Sequence, residues 1–294
     1  MSVQAEAIVP RTAGAVVRDY LELSKARIVM MVLITTAAGY AVGATSFDAI
    51  LMVHLMLGTA LVAGGTNALN QWWERELDAR MARTRNRPIP SGRMSQRNAL
   101  VFSTAISIIG TVWLALAVNP LAAFLAFATL ASYLFLYTPL KTRTTLCTII
   151  GAAPGAVPPM IGYAAATGVV DAASWSMFGL MFAWQLPHFL ALSWIYRDDY
   201  ARGGFEMLAV HDRAGARVAR HAFAWSVALF AISLAPYWLG ISGVVYLAAA
   251  VISGLAIIAA SIVFARTLSM KSARQLFMGS NLYLVVVMAL LVAG

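Results

Sequence analysis

The chain has 294 residues, of which 61% are hydrophobic and only 11% are charged, and its formal net charge is +9. Soluble domains contain roughly 45–50% apolar and about 25% charged residues, so this chain could not cover a soluble fold of its size with polar surface. The composition excludes a soluble enzyme and predicts a polytopic membrane protein. The single cysteine, Cys147, excludes an intrachain disulfide and a metal site built from several cysteines.

Nine apolar stretches follow one another along the chain, each long enough for a spanning helix of about 20 residues. Backbone polar groups in hydrocarbon must be hydrogen-bonded within their own segment, which makes each stretch a helix. The predicted fold is therefore an all-α membrane bundle of nine transmembrane helices, a single domain over 1–294 that begins with a cytoplasmic tail at 1–25. The predicted spans are approximately 26–46, 49–70, 98–118, 120–140, 145–166, 172–195, 218–240, 243–264 and 275–293.

The distribution of basic residues predicts how the bundle is oriented. All 21 Lys and Arg residues lie in the N-terminal tail, in every second connection between spans, or within the first three residues of the span that follows. Cytoplasmic segments carry the excess of Lys and Arg, so the N-terminus is predicted in the cytoplasm and the C-terminus outside, in a cell (inner) membrane. The same rule accounts for the positive net charge, so no nucleic-acid partner is expected. Two cytoplasmic connections are too long and too charged to be simple turns, about 71–97 and 196–217.

The first of these connections begins with a stripe of oxygen-bearing side chains. Asn70, Glu74 and Asp78 recur every four residues, which places them on one face if the second span continues as a helix. Carboxylates at that spacing repel each other mildly unless a cation lies between them, and oxygen ligands together with phosphate suit Mg²⁺. Arg83 and Arg87 follow, with planar donors that match phosphate oxygens. The alternative is a solvated helix whose arginines contact lipid head groups.

The second long connection begins with Asp198 and Asp199, directly after the sixth span. An ordinary helix end, with Asp198 paired to Arg202, explains this pair by itself. Two acidic clusters on the same membrane face would instead hold two Mg²⁺ ions around one diphosphate. A metal-bound diphosphate above an apolar cavity indicates an enzyme acting on an isoprenoid, because a dry cavity protects an allylic carbocation from water.

These residues carry a resemblance to a known family. Asn70, Glu74 and Asp78 look like the first acidic motif of the UbiA superfamily of intramembrane prenyltransferases. The run from Asn70 to Pro88 resembles, more narrowly, the branch of that superfamily that farnesylates heme. Further blocks similar to that branch follow in order and extend the resemblance over nearly the whole chain, at 137–143, 150–162, 184–189 and 196–208.

The chain departs from the superfamily's pattern at three points. Glu74 stands where the first motif usually has Asp. Arg202 stands four residues after Asp198, where the second motif, Asp-x-x-x-Asp, would have its second Asp. Glu206 and Ala209 replace the two prolines of the Pro-Met-Leu-Pro run that is common in the heme branch.

The resemblance implies transfer of the farnesyl group of farnesyl diphosphate to the 2-vinyl group of heme B with addition of water, giving heme O for heme–copper terminal oxidases. It implies Mg²⁺ as cofactor and, as partners, both substrates, the lipid bilayer, and heme A synthase or oxidase assembly proteins. The residue roles that it implies are a first Mg²⁺ on Asn70, Glu74 and Asp78, a second on Asp198 and Asp199, and diphosphate binding by Arg83, Arg87, Lys141 and Arg143.

The acceptor side is less determined. His188, in the inner half of the sixth span, is predicted to face the porphyrin or its iron, because ionisable residues inside a membrane are functional candidates; the alternative is a histidine hydrogen-bonded to a neighbouring helix. Pro154, Pro158 and Pro159 interrupt the fifth span, which is expected to line the substrate chamber. A UbiA-type enzyme with an aromatic ring acceptor would use the same metal site. A transporter would also contain broken helices, but the spans here are nearly free of charge.

Overall fold

The computed structural model describes residues 12–294, and every regular element within them is helical. The first 11 residues of the predicted N-terminal tail at 1–25 lie outside the described residues. The elements in chain order are α1 (Ala13–Leu23), α2 (Ala26–Gly43), α3 (Ala49–Arg80), α4 (Gln96–Ala117), α5 (Pro120–Ser132), a π-helical turn (Tyr133–Tyr137), α6 (Thr138–Leu140), α7 (Cys147–Ala156), α8 (Pro158–Thr167), α9 (Ala172–Ile195), α10 (Arg197–Gly203), α11 (Leu208–His211), α12 (Ala216–Ser233), α13 (Ala235–Trp238), α14 (Val244–Thr267) and α15 (Met270–Ala293).

Nine segments of residues 12–294 are long and apolar enough to cross a membrane, which confirms the predicted number of spans and the all-α multi-pass fold. Six of them are single helices: α2, α3, α4, α9, α14 and α15. The other three each combine neighbouring elements, namely α5 to α6, α7 with α8, and α12 with α13.

The fifth span is broken at its prolines, as the sequence predicts. α7 ends at Ala156 and α8 begins at Pro158, the first helical position, where a missing N–H costs nothing. Pro154 lies inside α7 and removes one intrahelical hydrogen bond. The span is mostly buried inside the bundle, which is where an interrupted helix can be accommodated.

The second span continues well beyond its predicted end. α3 contains 32 residues, which at 1.5 Å per residue makes it about 48 Å long, against roughly 30 Å of hydrocarbon. Asp48 caps its N-terminus, and the Asp48 side chain accepts hydrogen bonds from the amides of Ile50 and Leu51. It therefore carries Asn70, Glu74 and Asp78 on one uninterrupted helix that extends out of the apolar layer.

Two glycines allow α2 and α8 to approach each other backbone to backbone. A Cβ at Gly39 would lie 1.9 Å from the carbonyl oxygen of Pro159, and one at Gly162 would lie 1.8 Å from that of Thr36. Small residues at such crossings let membrane helices pack closely. This contact fixes the position of α2, whose N-terminal end presents Lys25 to the pocket described next.

Candidate active site

A pocket of about 150 Å³ opens at the end of the bundle that carries the basic connections, called here the basic end. Helices α2 and α3, the π-helical turn and the segment after α10 all contribute to it. It is called the first pocket, and its lining residues are Lys25, Ile28, Asn70, Glu74, Asp78, Met81, Arg83, Arg87, Tyr137, Lys141, Tyr200, Phe205 and Met207. Six of the residues predicted for the site are therefore brought together in one cavity.

The two carboxylates of the α3 stripe are buried and paired with cations from other parts of the chain. Glu74 is 4% exposed, and its Oε1 accepts a hydrogen bond of 2.8 Å from Lys141 Nζ. Asp78 is 1% exposed, and its Oδ2 accepts one of 2.5 Å from Arg87. Burying an ionised carboxylate is costly unless an opposite charge compensates it. The pairing therefore relieves the repulsion that the four-residue spacing predicts.

One oxygen of the stripe has no partner. Asp78 Oδ1 is buried and accepts no hydrogen bond from the residues that the structure describes. A buried acceptor without a partner costs free energy that a bound cation would recover. Asn70 and Glu74 place further oxygens on the same helix face. This donor set fits Mg²⁺, which prefers oxygen ligands and completes its coordination with phosphate and water.

Lys25 is the charged pocket residue that the sequence did not predict. It is the N-cap of α2 with φ +50°, a left-handed conformation that is rare for a residue with a side chain. Its Nζ donates a hydrogen bond of 3.0 Å to Asn70 Oδ1. Gln71, the next residue on α3, donates to the carbonyls of Glu22 and Leu23 and so ties the turn before Lys25 to α3. In the sequence, a lysine beside a span is indistinguishable from an ordinary membrane-edge anchor.

The electrostatics of the two lysines differ. The loss of water around the Lys25 ammonium, together with the nearby charges of Arg87 and Lys141, lowers the pKa of Lys25 to about 7. Burial also lowers the pKa of Lys141, but the contact with Glu74 outweighs it and holds that pKa well above its usual value. Four basic side chains line the first pocket, whose lining contains only two acidic residues, Glu74 and Asp78, and this arrangement suits a polyanion.

Aromatic rings form the wall beside Lys141. Its Nζ lies 4.5 Å from the ring centroid of Tyr137 and 5.8 Å from that of Phe205. Tyr137 ends the π-helical turn, a feature that is frequent at functional sites. Gly151 on α7 makes room for the ring, because a Cβ there would lie 2.4 Å from a Tyr137 ring carbon. These aromatic faces lie where they can stabilise positive charge in the pocket.

The second predicted carboxylate cluster has different surroundings. Both oxygens of Asp199 are occupied, by the amides of Ala82 (3.0 Å) and Arg83 (3.2 Å) and by the side chain of Arg202. Burial raises the pKa of Asp199, but these hydrogen bonds outweigh it and leave that pKa below its usual value. The Asp198 side chain is 85% exposed. Neither residue lines the first pocket, and their assignment to a second metal stays a prediction.

The remaining predicted residues lie in different places. Arg83 lines the pocket and stacks on the rings of Tyr196 and Tyr200, at 5.3 and 5.8 Å. Arg143 is exposed and lies outside the pocket lining.

His188 is buried between α9 and α15. Its Nδ1 lies 3.0 Å from Ser280 Oγ, and its ring packs on Phe277 and Trp184. It lines neither the first pocket nor a second one described below. This hydrogen bond matches the alternative to heme binding, in which His188 is held by a neighbouring helix. The predicted contact between His188 and heme stays a prediction.

The amino-acid sequence is similar to that of known membrane prenyltransferases. The family model described as the UbiA prenyltransferase family matches residues 32–285. A protein of Solibacter usitatus named protoheme IX farnesyltransferase is 44% identical over 284 residues, covering 93% of this chain and 97% of that protein.

Solved structures of low sequence identity share the fold. A digeranylgeranylglyceryl phosphate synthase structure superposes with a TM-score of 0.79 at 19% identity, covering 95% of this chain and 98% of that one. A UbiA homolog from Archaeoglobus fulgidus, bound to DMAPP and Mg²⁺, superposes with a TM-score of 0.65 at 15% identity, covering 93% and 99%.

Proposed function

We propose that this chain, which belongs to the UbiA prenyltransferase family, transfers the farnesyl group of farnesyl diphosphate to the 2-vinyl group of heme B and adds water, giving heme O and diphosphate. The observation that carries the proposal is the first pocket, where a buried stripe of oxygens and several cations converge. Heme is inferred as the acceptor from the name of the Solibacter relative.

The α3 stripe would hold the metal. Asn70, Glu74 and Asp78 would bind Mg²⁺ through side-chain oxygens, among them the unpartnered Asp78 Oδ1. Bound there, the ion would neutralise diphosphate oxygens and so favour departure of the diphosphate. Within residues 12–294, no three His, Cys, Asp or Glu side chains form a metal cluster by themselves, so phosphate oxygens and water would complete the coordination. The Mg²⁺ in the Archaeoglobus homolog supports this assignment.

The cations of the pocket would bind the diphosphate of farnesyl diphosphate, and its aromatic rings would stabilise the positive charge that forms on the farnesyl group. The bond from farnesyl C1 to oxygen breaks with its electron pair leaving on the diphosphate. The vinyl π electrons form the new carbon–carbon bond, and water adds to the resulting carbocation with loss of a proton. Tyr137 and Phe205 present ring faces to positive charge. The side chains that would bind diphosphate oxygens are Lys25, Arg83, Arg87 and Lys141.

The other predicted ligands, Asp198, Asp199 and Arg143, would have to change their present contacts or orientation to take part in binding. A second Mg²⁺ on Asp198 and Asp199 would require Asp199 to release the amides of Ala82 and Arg83. Arg143 would have to turn from its exposed position to reach the diphosphate. We therefore give the first metal and the four pocket cations the main part in donor binding.

The membrane placement is also part of the proposal. With the basic end in the cytoplasm of a cell (inner) membrane, the N-terminus is inside, the C-terminus is outside, and the pocket meets cytoplasmic farnesyl diphosphate and Mg²⁺. The chain would act as one domain over residues 1–294. Its product would pass to heme A synthase or to oxidase assembly proteins.

The test is a direct assay. Purified protein in detergent is incubated with heme B, farnesyl diphosphate and Mg²⁺, and the extracted porphyrins are analysed by mass spectrometry. We expect a hydroxyethylfarnesyl adduct that disappears when EDTA is added. Unmodified heme from a folded sample that instead prenylates an added aromatic acid would replace heme by an aromatic acceptor. No transfer to either acceptor would overturn the proposal.

A further inference from the structure

A second pocket of about 100 Å³ lies at the basic end between α7, α9 and α12. Helices α7 and α12 each pack against α9, which forms the floor of the crevice between them. Its walls include Leu146, Leu190 and Leu208. This second pocket is therefore an apolar crevice that opens at the level of the basic connections.

One face of α12 supplies the basic side chains of the second pocket, whose other polar lining residues are Thr145 and Thr148. Arg217, His221 and Trp225 line it at four-residue intervals, so they form one stripe along the helix. Arg217 and His221 are exposed, and neither has an ion-pair partner among the described residues. None of the residues that line the pocket is acidic. An apolar crevice with two unpaired donors one helical turn apart is complementary to a flat apolar molecule that carries carboxylates.

The two pockets share a wall. Met207 lines the first pocket and Leu208, its neighbour in the chain, lines the second. The wall is fixed by a 2.7 Å hydrogen bond from the Glu206 amide to the Lys141 carbonyl and by the contact of Cys147 Sγ with Met207 Sδ at 3.8 Å. A ligand that extends beyond the second pocket along this wall would lie next to farnesyl diphosphate bound in the first pocket.

We propose that the second pocket binds the carboxylate-bearing edge of the heme acceptor, with Arg217 and His221 donating hydrogen bonds to its two propionates. This inference rests on the proposed function, because it takes heme as the acceptor. It places the propionates away from the donor, so the opposite, vinyl-bearing edge is the one that can approach the first pocket. His188, which is packed against Ser280, is not needed for this arrangement.

The test measures heme binding without turnover. The full chain in phosphatidylcholine nanodiscs is titrated with heme B, and with heme B dimethyl ester, while the Soret band is followed in the absence of farnesyl diphosphate and Mg²⁺. Arg217→Gln and His221→Gln are each expected to weaken heme B binding about tenfold, the effect of losing one hydrogen bond to a charged group. They should leave the ester's affinity unchanged, because the ester has no carboxylate. Arg220→Gln is the matched control, since Arg220 is exposed on the same helix but does not line the pocket.

The outcomes separate this inference from the proposed function. If heme O is formed but Arg217→Gln and His221→Gln bind heme B as wild type does, the second pocket is not the acceptor site. The second pocket is likewise rejected as the acceptor site if wild type binds heme B and its dimethyl ester equally well. In a parallel arm, phosphatidylglycerol is added to the nanodiscs; if wild type retains that lipid through Arg217 while heme affinity is unaffected by Arg217→Gln, the pocket holds a lipid head group and the inference is overturned. Failure of wild type to farnesylate heme rejects the proposed function itself, whereas heme that is farnesylated but not bound without farnesyl diphosphate rejects only the second pocket as an independent acceptor site.

Discussion

The carboxylates at the end of α3 and those at the start of α10 are the same chemical groups at the same end of the molecule, yet the protein surrounds them differently. Asp78 has one oxygen on Arg87 and one buried oxygen without a partner, in a pocket. Asp199 has both oxygens occupied by two backbone amides and Arg202, outside that pocket. A buried carboxylate is available to a metal only where the chain leaves an oxygen free. This difference makes Asp78 the better candidate for a metal ligand, whereas the Asp199 carboxylate binds the backbone amides of Ala82 and Arg83.

The largest expected effect comes from removing the free oxygen. Asp78→Asn should reduce heme O formation by about 100- to 1000-fold, the loss typical of removing one group that stabilises charge in the transition state. Product formation by mass spectrometry measures the loss, and circular dichroism checks that the helices persist. Glu76→Gln is the control, because its side chain is exposed on the same helix. Activity of Asp78→Asn within a few-fold of wild type would remove Asp78 from the metal site.

Removing a cation beside each of the two carboxylate clusters should change the KM for farnesyl diphosphate by different amounts. Lys25→Gln removes a donor from the first pocket and should raise the KM for farnesyl diphosphate about tenfold, since hydrogen bonds to charged groups are worth about 1.5–3 kcal/mol. Arg202→Gln removes a cation that contacts Asp199 outside the pocket and should change the KM less than about threefold. Equal effects of the two substitutions would contradict the distinction between the clusters.

The Mg²⁺ concentration that gives half-maximal activity should also distinguish the two carboxylate clusters. Asp199→Asn cannot accept from both amides, so the segment that begins at Ala82 loosens and activity should fall about three- to tenfold. The Mg²⁺ concentration that gives half-maximal activity should stay that of wild type, whereas Glu74→Gln should raise it. Asp198→Asn should behave like wild type, because its side chain is exposed. A raised Mg²⁺ requirement in Asp198→Asn or Asp199→Asn would support the second metal.

The smallest expected effect is a dependence on pH. The hydrogen bonds of Asp199 hold its pKa below the usual value, so the carboxylate adds stability above about pH 4, the ordinary range of Asp, and that stability is lost as the pH falls through the folded-state pKa. The difference in Tm between wild type and Asp199→Asn should therefore be largest near neutrality and shrink in acid. A difference that grows on acidification would show that Asp199 is not stabilised as a carboxylate.

Local periodicity explains why much of the site could be predicted. Asn70, Glu74 and Asp78 share a face in any helix, and the apolar length before them requires one, so the stripe followed from spacing alone. Lys141 entered through the resemblance and lies in the pocket. Lys25 was missed because its approach to Asn70 joins residues 45 positions apart and depends on a left-handed turn before α2.

By itself, the sequence determined what depends on solvent and on neighbours along the chain: the nine apolar segments, the helices that a membrane requires of them, the basic residues collected in alternate connections, and the oxygen stripe on α3. Only the tertiary structure decided which polar atoms were left without partners. Asp199 meets amides 116 and 117 residues away, and His188 meets Ser280 across 92 residues. Such contacts depend on how helices pack, and packing reflects the shapes of distant surfaces that no local pattern in the chain records.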